Sequence, residues 1–137
     1  MNLQGITTRP DPYKPYLLSQ AIKAGPFVFV SGQAGYDNDG NIVTGGFTAQ
    51  GEQAFSNLNR ALTAAGSSMK EVAKVTIFVT DMTQFDEVVA LRRKYFSQPY
   101  PADSIVEVKG LYTPEAMIEI EAIALVIEPV GDLPPLP

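Results

Sequence analysis

The stretch Tyr100–Val126, YPADSIVEVKGLYTPEAMIEIEAIALV, decides the fold. It predicts two strands joined by a loop, the first near Ser104–Lys109 and the second near Met117–Ile127. On the second strand, alternation puts Met117, Glu119, Glu121, Ile123 and Leu125 on one face. Ile118, Ile120, Ala122, Ala124 and Val126 fall on the other. Two largely apolar faces imply a central strand covered on both sides. Glu119 and Glu121 break the pattern. A carboxylate taken out of water must be paired, hydrogen-bonded or protonated. The two glutamates therefore mark either an exposed or ion-paired strand end at an interface, or a functional site. Structural ion pairs also bury charge, so spacing alone leaves both readings open.

Upstream, Pro99, Tyr100 and Pro101 stiffen the entry to this stretch. A helix is expected over about Gln84–Phe96, with Phe85, Val88, Val89, Tyr95 and Phe96 at helical spacing. Thr83 is its expected cap, with Asp86 as capping-box partner. Arg92 falls in the same stripe, seven residues after Phe85. It either lies at the stripe edge with its stem on apolar surface, or reaches a polar cleft. Val72–Thr80 (VAKVTIFVT) reads as a strand apolar on both faces. Thr48–Ala65 reads as a helix with the stripe Ala54, Phe55, Leu58, Ala61 and Leu62, ended by Gly66. The glycines of the loop Tyr36–Gly46 match no phosphate-cradling pattern and read as turn chemistry. Phe27–Ser31 (FVFVS) is a strand ended by Gly32, preceded by the turn Gly25-Pro26 and by a first strand over Leu17–Lys23.

Residues 1–15, with Pro10, Pro12 and Pro15, read as an extended arm, and residues 129–137 as a proline-rich extended tail, flanking one domain over 1–137. The order β-β-α-β-α-β-β implies a mixed sheet with two crossover helices on one face. The other face then needs cover, and a partner subunit is the expected cover. Charged residues make up only 18% of the chain, below the usual quarter, which also points to surface hidden in an oligomer.

Two absences restrict the chemistry. The chain has no Cys, so thiolate nucleophiles, disulfides and Cys-zinc sites are excluded. It has no His, the usual general base and the commonest metal ligand. Catalysis must then use carboxylates, Lys, Arg, Tyr, hydroxyls, backbone groups or water; no cofactor and no metal are expected. A net charge of −5 disfavours nucleic acid as a partner. No apolar run is long enough to span a bilayer, and the polar, proline-rich start is unlike a signal peptide, so a cytoplasmic location is expected.

Four blocks together resemble the Rid (YjgF/L-PSP) family: SQAIKAGPFVFVSGQ (Ser19–Gln33), KVTIFVTDMTQFDEV (Lys74–Val88), PADSIVEVKGL (Pro101–Leu111) and IEIEAIA (Ile118–Ala124). The similarity runs from about Pro15 to Ile127 in the family's order and spacing. It implies a chorismate-mutase-like α/β fold and a homotrimer with small-molecule clefts between subunits. For the RidA branch it implies hydrolysis of reactive enamines and imines to 2-keto acids and ammonia. Glu119 matches the carboxylate that positions the hydrolytic water. Ser31, Gly32, Gln33 and Ile105 match substrate-side positions.

Two positions depart from the family's pattern. RidA-type members read P-A-R-S where this chain reads Pro101-Ala102-Asp103-Ser104, so the Arg that grips the substrate carboxylate is Asp103 here. A guanidinium fork matches a carboxylate; Asp repels it. Asp103 is otherwise a solvated strand start, or a second carboxylate facing the Glu119 cleft, the two pushing their pKa values apart into an acid and a base. The family's Tyr is replaced by Leu18, and Tyr16 can substitute if the arm shifts. Substrate would then be neutral or cationic unless Arg92 replaces the lost Arg, and Asp103→Arg is expected to recover keto-acid binding. The two functions expected are an imine or enamine deaminase with altered substrate choice and a non-catalytic trimer that binds a metabolite or a protein. The endoribonuclease activity attached to the family name fits poorly with an acidic, His-free chain.

Overall fold

The computed structural model describes residues 2–127, so the tail expected over 129–137 lies outside the described residues. The segments Leu3–Ile6 (β1), Ala21–Ala24 (β2), Phe27–Ala34 (β3), Val72–Val79 (β4), Ala102–Glu107 (β5) and Ile118–Leu125 (β6) form one sheet, ordered β1-β2-β3-β6-β4-β5. Gly46–Ala64 (α1) links β3 to β4, and Phe85–Tyr95 (α2) links β4 to β5. Only β4 and β5 run parallel; they need the α2 crossover, whereas the antiparallel neighbours need none. This is the expected mixed sheet with two helices on one face.

Alternation on β6 places Ile118, Ile120, Ala122 and Ala124 under the helices. There they meet Phe55, Leu58 and Leu62 of α1, Val88 of α2, and Val28, Val75 and Ile77 of the flanking strands. Strand β6 is central, between β3 and β4, but within one chain it is covered on one side only. The helix-free face exposes Phe27 (43%), Phe29 (44%), Val106 (42%) and Leu125 (41%). Among the described residues no helix is long and apolar enough to cross a membrane.

Several boundaries differ from expectation for local reasons. The first expected strand begins at Ala21 rather than Leu17. A 3₁₀ turn over Lys14–Tyr16 ends with Leu17 in the left-handed region at φ 61°, which breaks an extended path. Inside the expected arm, Leu3–Ile6 is a strand, made by pairing Leu3 with Ala24 through Ile6 with Ala21. Strand β3 does not stop at Gly32 but continues to Ala34. The cap before α2 is Asp81, whose carboxylate accepts from the Thr83 N–H at 2.9 Å and starts the 3₁₀ turn Met82–Gln84; Thr83 caps nothing. Helix α1 ends as expected at Gly66: its N–H donates to Thr63 O and the Ser67 N–H to Leu62 O, with Gly66 at φ +78°.

Two glycines let the layers approach. A Cβ on Gly35 would lie 2.6 Å from the backbone oxygen of Gln50, and one on Gly51 would lie 2.5 Å from a methyl carbon of Leu91. The first obstacle is helix backbone and cannot yield, whereas the Leu91 side chain can change rotamer. Gly35→Ala is therefore expected to destabilise by about 1–3 kcal/mol, as overpacking does, and Gly51→Ala by less. Urea unfolding of the two variants checks the order.

Candidate functional site

The site grows from an irregularity in the β3–β6 ladder. Val30 pairs with Ala122 and Gln33 with Ile120, so three steps on β3 span two on β6. Ser31 and Gly32 form a bulge, which frees backbone groups from the ladder. Neighbouring groups meet both carbonyls of the bulge and the Ser31 N–H. The Ser31 N–H donates to Gln20 O at 2.9 Å. The Gln33 side-chain amide donates to Ser31 O at 3.0 Å, and the Tyr13 hydroxyl donates to Gly32 O. The Ser31 hydroxyl donates to Ser19 O at 2.6 Å. Tyr36 donates to the buried Gln33 and packs edge-on against Tyr13 at 5.4 Å.

The bulge makes space for Glu119. A Cβ on Gly32 would sit 2.7 Å from the Glu119 carboxyl carbon, so the missing side chain leaves room for that carboxylate. Glu119 is half-buried on the helix-free face and forms no ion pair among the described residues. Burial, and then the nearby Glu121 charge, raise its pKa above the usual carboxylate range.

Glu119 lines an open depression of about 1000 Å³. Glu121 and Phe78 join it from the sheet, and Tyr16, Leu18 and Tyr112 from loops. Burial, then the Glu119 charge, raise the Tyr112 pKa, so this hydroxyl stays a proton donor. The loop carrying Tyr112 and Glu115 is anchored to α1 by buried Gln50. Its amide donates to Glu115 O at 2.9 Å and accepts from the Met117 N–H at 2.8 Å.

Asp103 and Arg92 meet elsewhere. Asp103 pairs with Val75, which is buried under the helices, so its side chain lies on the opposite sheet face from Glu119. The two carboxylates do not share a cleft within one chain. Asp103 accepts from Arg92 Nε at 2.8 Å and Nη2 at 2.9 Å. The guanidinium also lies 5.7 Å from the Phe85 ring centre. Arg92 thus reaches a polar partner rather than only snorkelling. A lone Asp103→Arg change would set two guanidinium groups against each other, which removes the simple rescue expected from sequence.

The structure therefore brings together Glu119, Gly32 and Tyr16, and separately Asp103 and Arg92. Ser31 and Gln33 build the bulge, and Ile105 packs against the core on the Asp103 side. Sequence reasoning missed Tyr13, Tyr112 and Gln50, which no local pattern marks. Glu121 was signalled by its place two residues from Glu119.

Comparison with known proteins gives concordant findings. A family model described as Endoribonuclease L-PSP matches residues 6–126. A RutC family protein of Pyrococcus horikoshii is 43% identical over 116 residues, 84% of this chain and 90% of its own length. A 2-iminobutanoate/2-iminopropanoate deaminase of Dermatophagoides farinae is 36% identical over 118 residues, 85% of this chain and 90% of its own. The crystal structure of RidA from an Antarctic Psychrobacter superposes with a TM-score of 0.83 at 36% identity, covering 90% of this chain and 99% of that one.

The raised pKa of Glu119 has a stability consequence. The native state holds a proton that the unfolded chain releases at the ordinary glutamate value, so stability falls as pH rises from that value through the native one. Glu119→Gln removes this loss. Its melting temperature is expected to exceed that of the unaltered protein near neutrality, with the gap closing at about pH 4, near the glutamate reference value. Thermal melts across that range check the sign.

Proposed function

The chain belongs to the Rid (YjgF/L-PSP) family, and from that premise we propose that it deaminates a reactive imine or enamine by hydrolysis, at clefts between subunits of a cytoplasmic homotrimer. The name of the Dermatophagoides farinae relative supports this class of reaction. The observation that carries the reading is the half-buried Glu119 carboxylate, outside any ion pair of the described residues and seated in the space left by Gly32. A base with raised proton affinity suits proton transfer near neutral pH.

The chemistry balances with water alone. Glu119 takes a proton as a water oxygen bonds to the C=N carbon. The proton passes to nitrogen in the tetrahedral carbinolamine. The remaining hydroxyl proton then passes by way of Glu119 to nitrogen, so that the C–N bond breaks, ammonia leaves and the C=O forms. An enamine enters the same course after protonation at carbon.

Phe27, Phe29 and Leu125, exposed together on the helix-free face, favour a homotrimer, since adjoining exposed apolar side chains mark interaction surfaces. Asp103 in place of the family's Arg supports altered substrate choice. The cation paired with it, Arg92, has its fork filled by Asp103 itself. The same pair favours the second reading, a trimer that binds a metabolite or a protein without catalysis, because it takes the carboxylate anchor out of use.

Assays on imines generated in situ separate the two. Hydrolysis is expected, slower for imines bearing a carboxylate than for those without one. Glu119→Ala is expected to lower the rate at least about 100-fold, the low end for general acid–base catalysis, with the trimer intact in sedimentation. Full activity in the variant would make Glu119 structural, and a stable monomer of the unaltered protein would overturn the trimer.

A further inference from the structure

We propose, resting on the hydrolase reading above, that the Glu119 depression is selective for cations and takes protonated, carboxylate-free imines. Within one chain its lining includes Glu115, Glu119 and Glu121 and the rings of Tyr13, Tyr16 and Tyr112, and no Lys or Arg among the described residues. Glu119 and Glu121 stand two residues apart on the same strand face, so their charges repel. A cation between them relieves that repulsion, and an anion adds to it. A cleft lined by one sign of charge concentrates ligands of the other sign. Aromatic faces add to the attraction for a cation, and Tyr16 and Tyr112 remain exposed at 63% and 51%.

Three cations of the sheet and helices are held by other partners. Arg92 is forked onto Asp103 on the opposite sheet face, and Lys94 is paired with Glu52 between the helices. Lys74, on the same sheet face as Glu119 and Glu121, donates to Ser104 Oγ at 3.0 Å and to Val75 O at 3.1 Å and is absent from the lining of the depression. A substrate carboxylate entering beside Glu119 would therefore meet repulsion from three glutamates and no compensating charge from this lining.

The charges that select the cation also favour the chemistry. Water attacks the protonated imine far more readily than the neutral one, and a negative lining holds that proton on nitrogen. The overall step conserves charge: an iminium ion and water give a carbonyl compound and ammonium. Glu119 moves the proton between water and the departing nitrogen. Glu121 and Glu115 supply field without touching the reacting bond.

The test uses acetamidinium, a planar, stable cation with the geometry of an iminium, against 2-ketobutyrate, a small anion. NMR titration of the full-length protein at low salt is expected to show acetamidinium binding at least about tenfold more tightly. Glu121→Gln, at an exposed position, is expected to weaken acetamidinium about tenfold and leave 2-ketobutyrate no weaker; tenfold corresponds to about 1.4 kcal/mol. Tighter binding of 2-ketobutyrate, or acetamidinium affinity unchanged in both Glu121→Gln and Glu115→Gln, would overturn the proposal. The two claims fail separately. Loss of hydrolysis in Glu119→Ala without cation preference removes this substrate class alone. Cation preference with no hydrolysis by the unaltered protein removes the hydrolase reading alone.

Discussion

A half-buried carboxylate seated in the space left by a glycine, outside any ion pair of the described residues, is the contact on which the proposed chemistry rests. Glu119 can sit there because Gly32 has no side chain. Gly32 lies there because one extra residue in β3 bulges away from β6. The bulge persists because the Tyr13 hydroxyl and the Gln33 amide satisfy the carbonyls that the ladder no longer meets. Behind it, Ile118 and Ile120 fix β6 to the helices, so the register that points Glu119 outward is the register that buries the core. A one-residue slip would bury Glu119 under α1 and expose both isoleucines.

The charge layout separates two tasks that one arginine would join. On the helix-free face, Glu119 and Glu121 are left with tyrosines and space. On the helix side, Arg92 and Asp103 neutralise each other in a bidentate pair, a geometry Lys could not reproduce. Neither member of that pair is left free to draw a ligand's charge. Within one chain the lining of the Glu119 depression carries three glutamates and, among the described residues, no Lys or Arg.

What the sequence disclosed and what it hid divide along physical lines. Strand β6, the Glu119 face and the two helices were legible because period 2 and period 3.6 are local properties of side-chain direction. Strand β1 was not, because LQGI has no alternation and becomes a strand only by pairing with β2. The bulge at Ser31-Gly32 was read as a strand end, since an extra residue in a ladder is defined by the partner strand rather than by the bulged one. Leu17 hid a left-handed turn that glycine would have announced. In the site, Glu119 was found and Asp103 was recognised as a departure. That Asp103 holds Arg92 required knowing that α2 lies over the start of β5. Gln50 holds the loop that carries Tyr112 through Glu115 and Met117, 65 and 67 residues further on, which no local window contains.

In the proposed reaction Glu119 is a proton-transfer group whose affinity for its proton is set by burial beside Gly32. The most direct test of this role is a ¹³C NMR titration of the Glu119 side-chain carboxyl, set beside the pH dependence of imine hydrolysis. The carboxyl is expected to titrate above an exposed glutamate, coinciding with the acidic limb of the rate profile. A Glu119 carboxyl that titrates as an ordinary exposed glutamate, with a rate profile indifferent to it, would contradict the account.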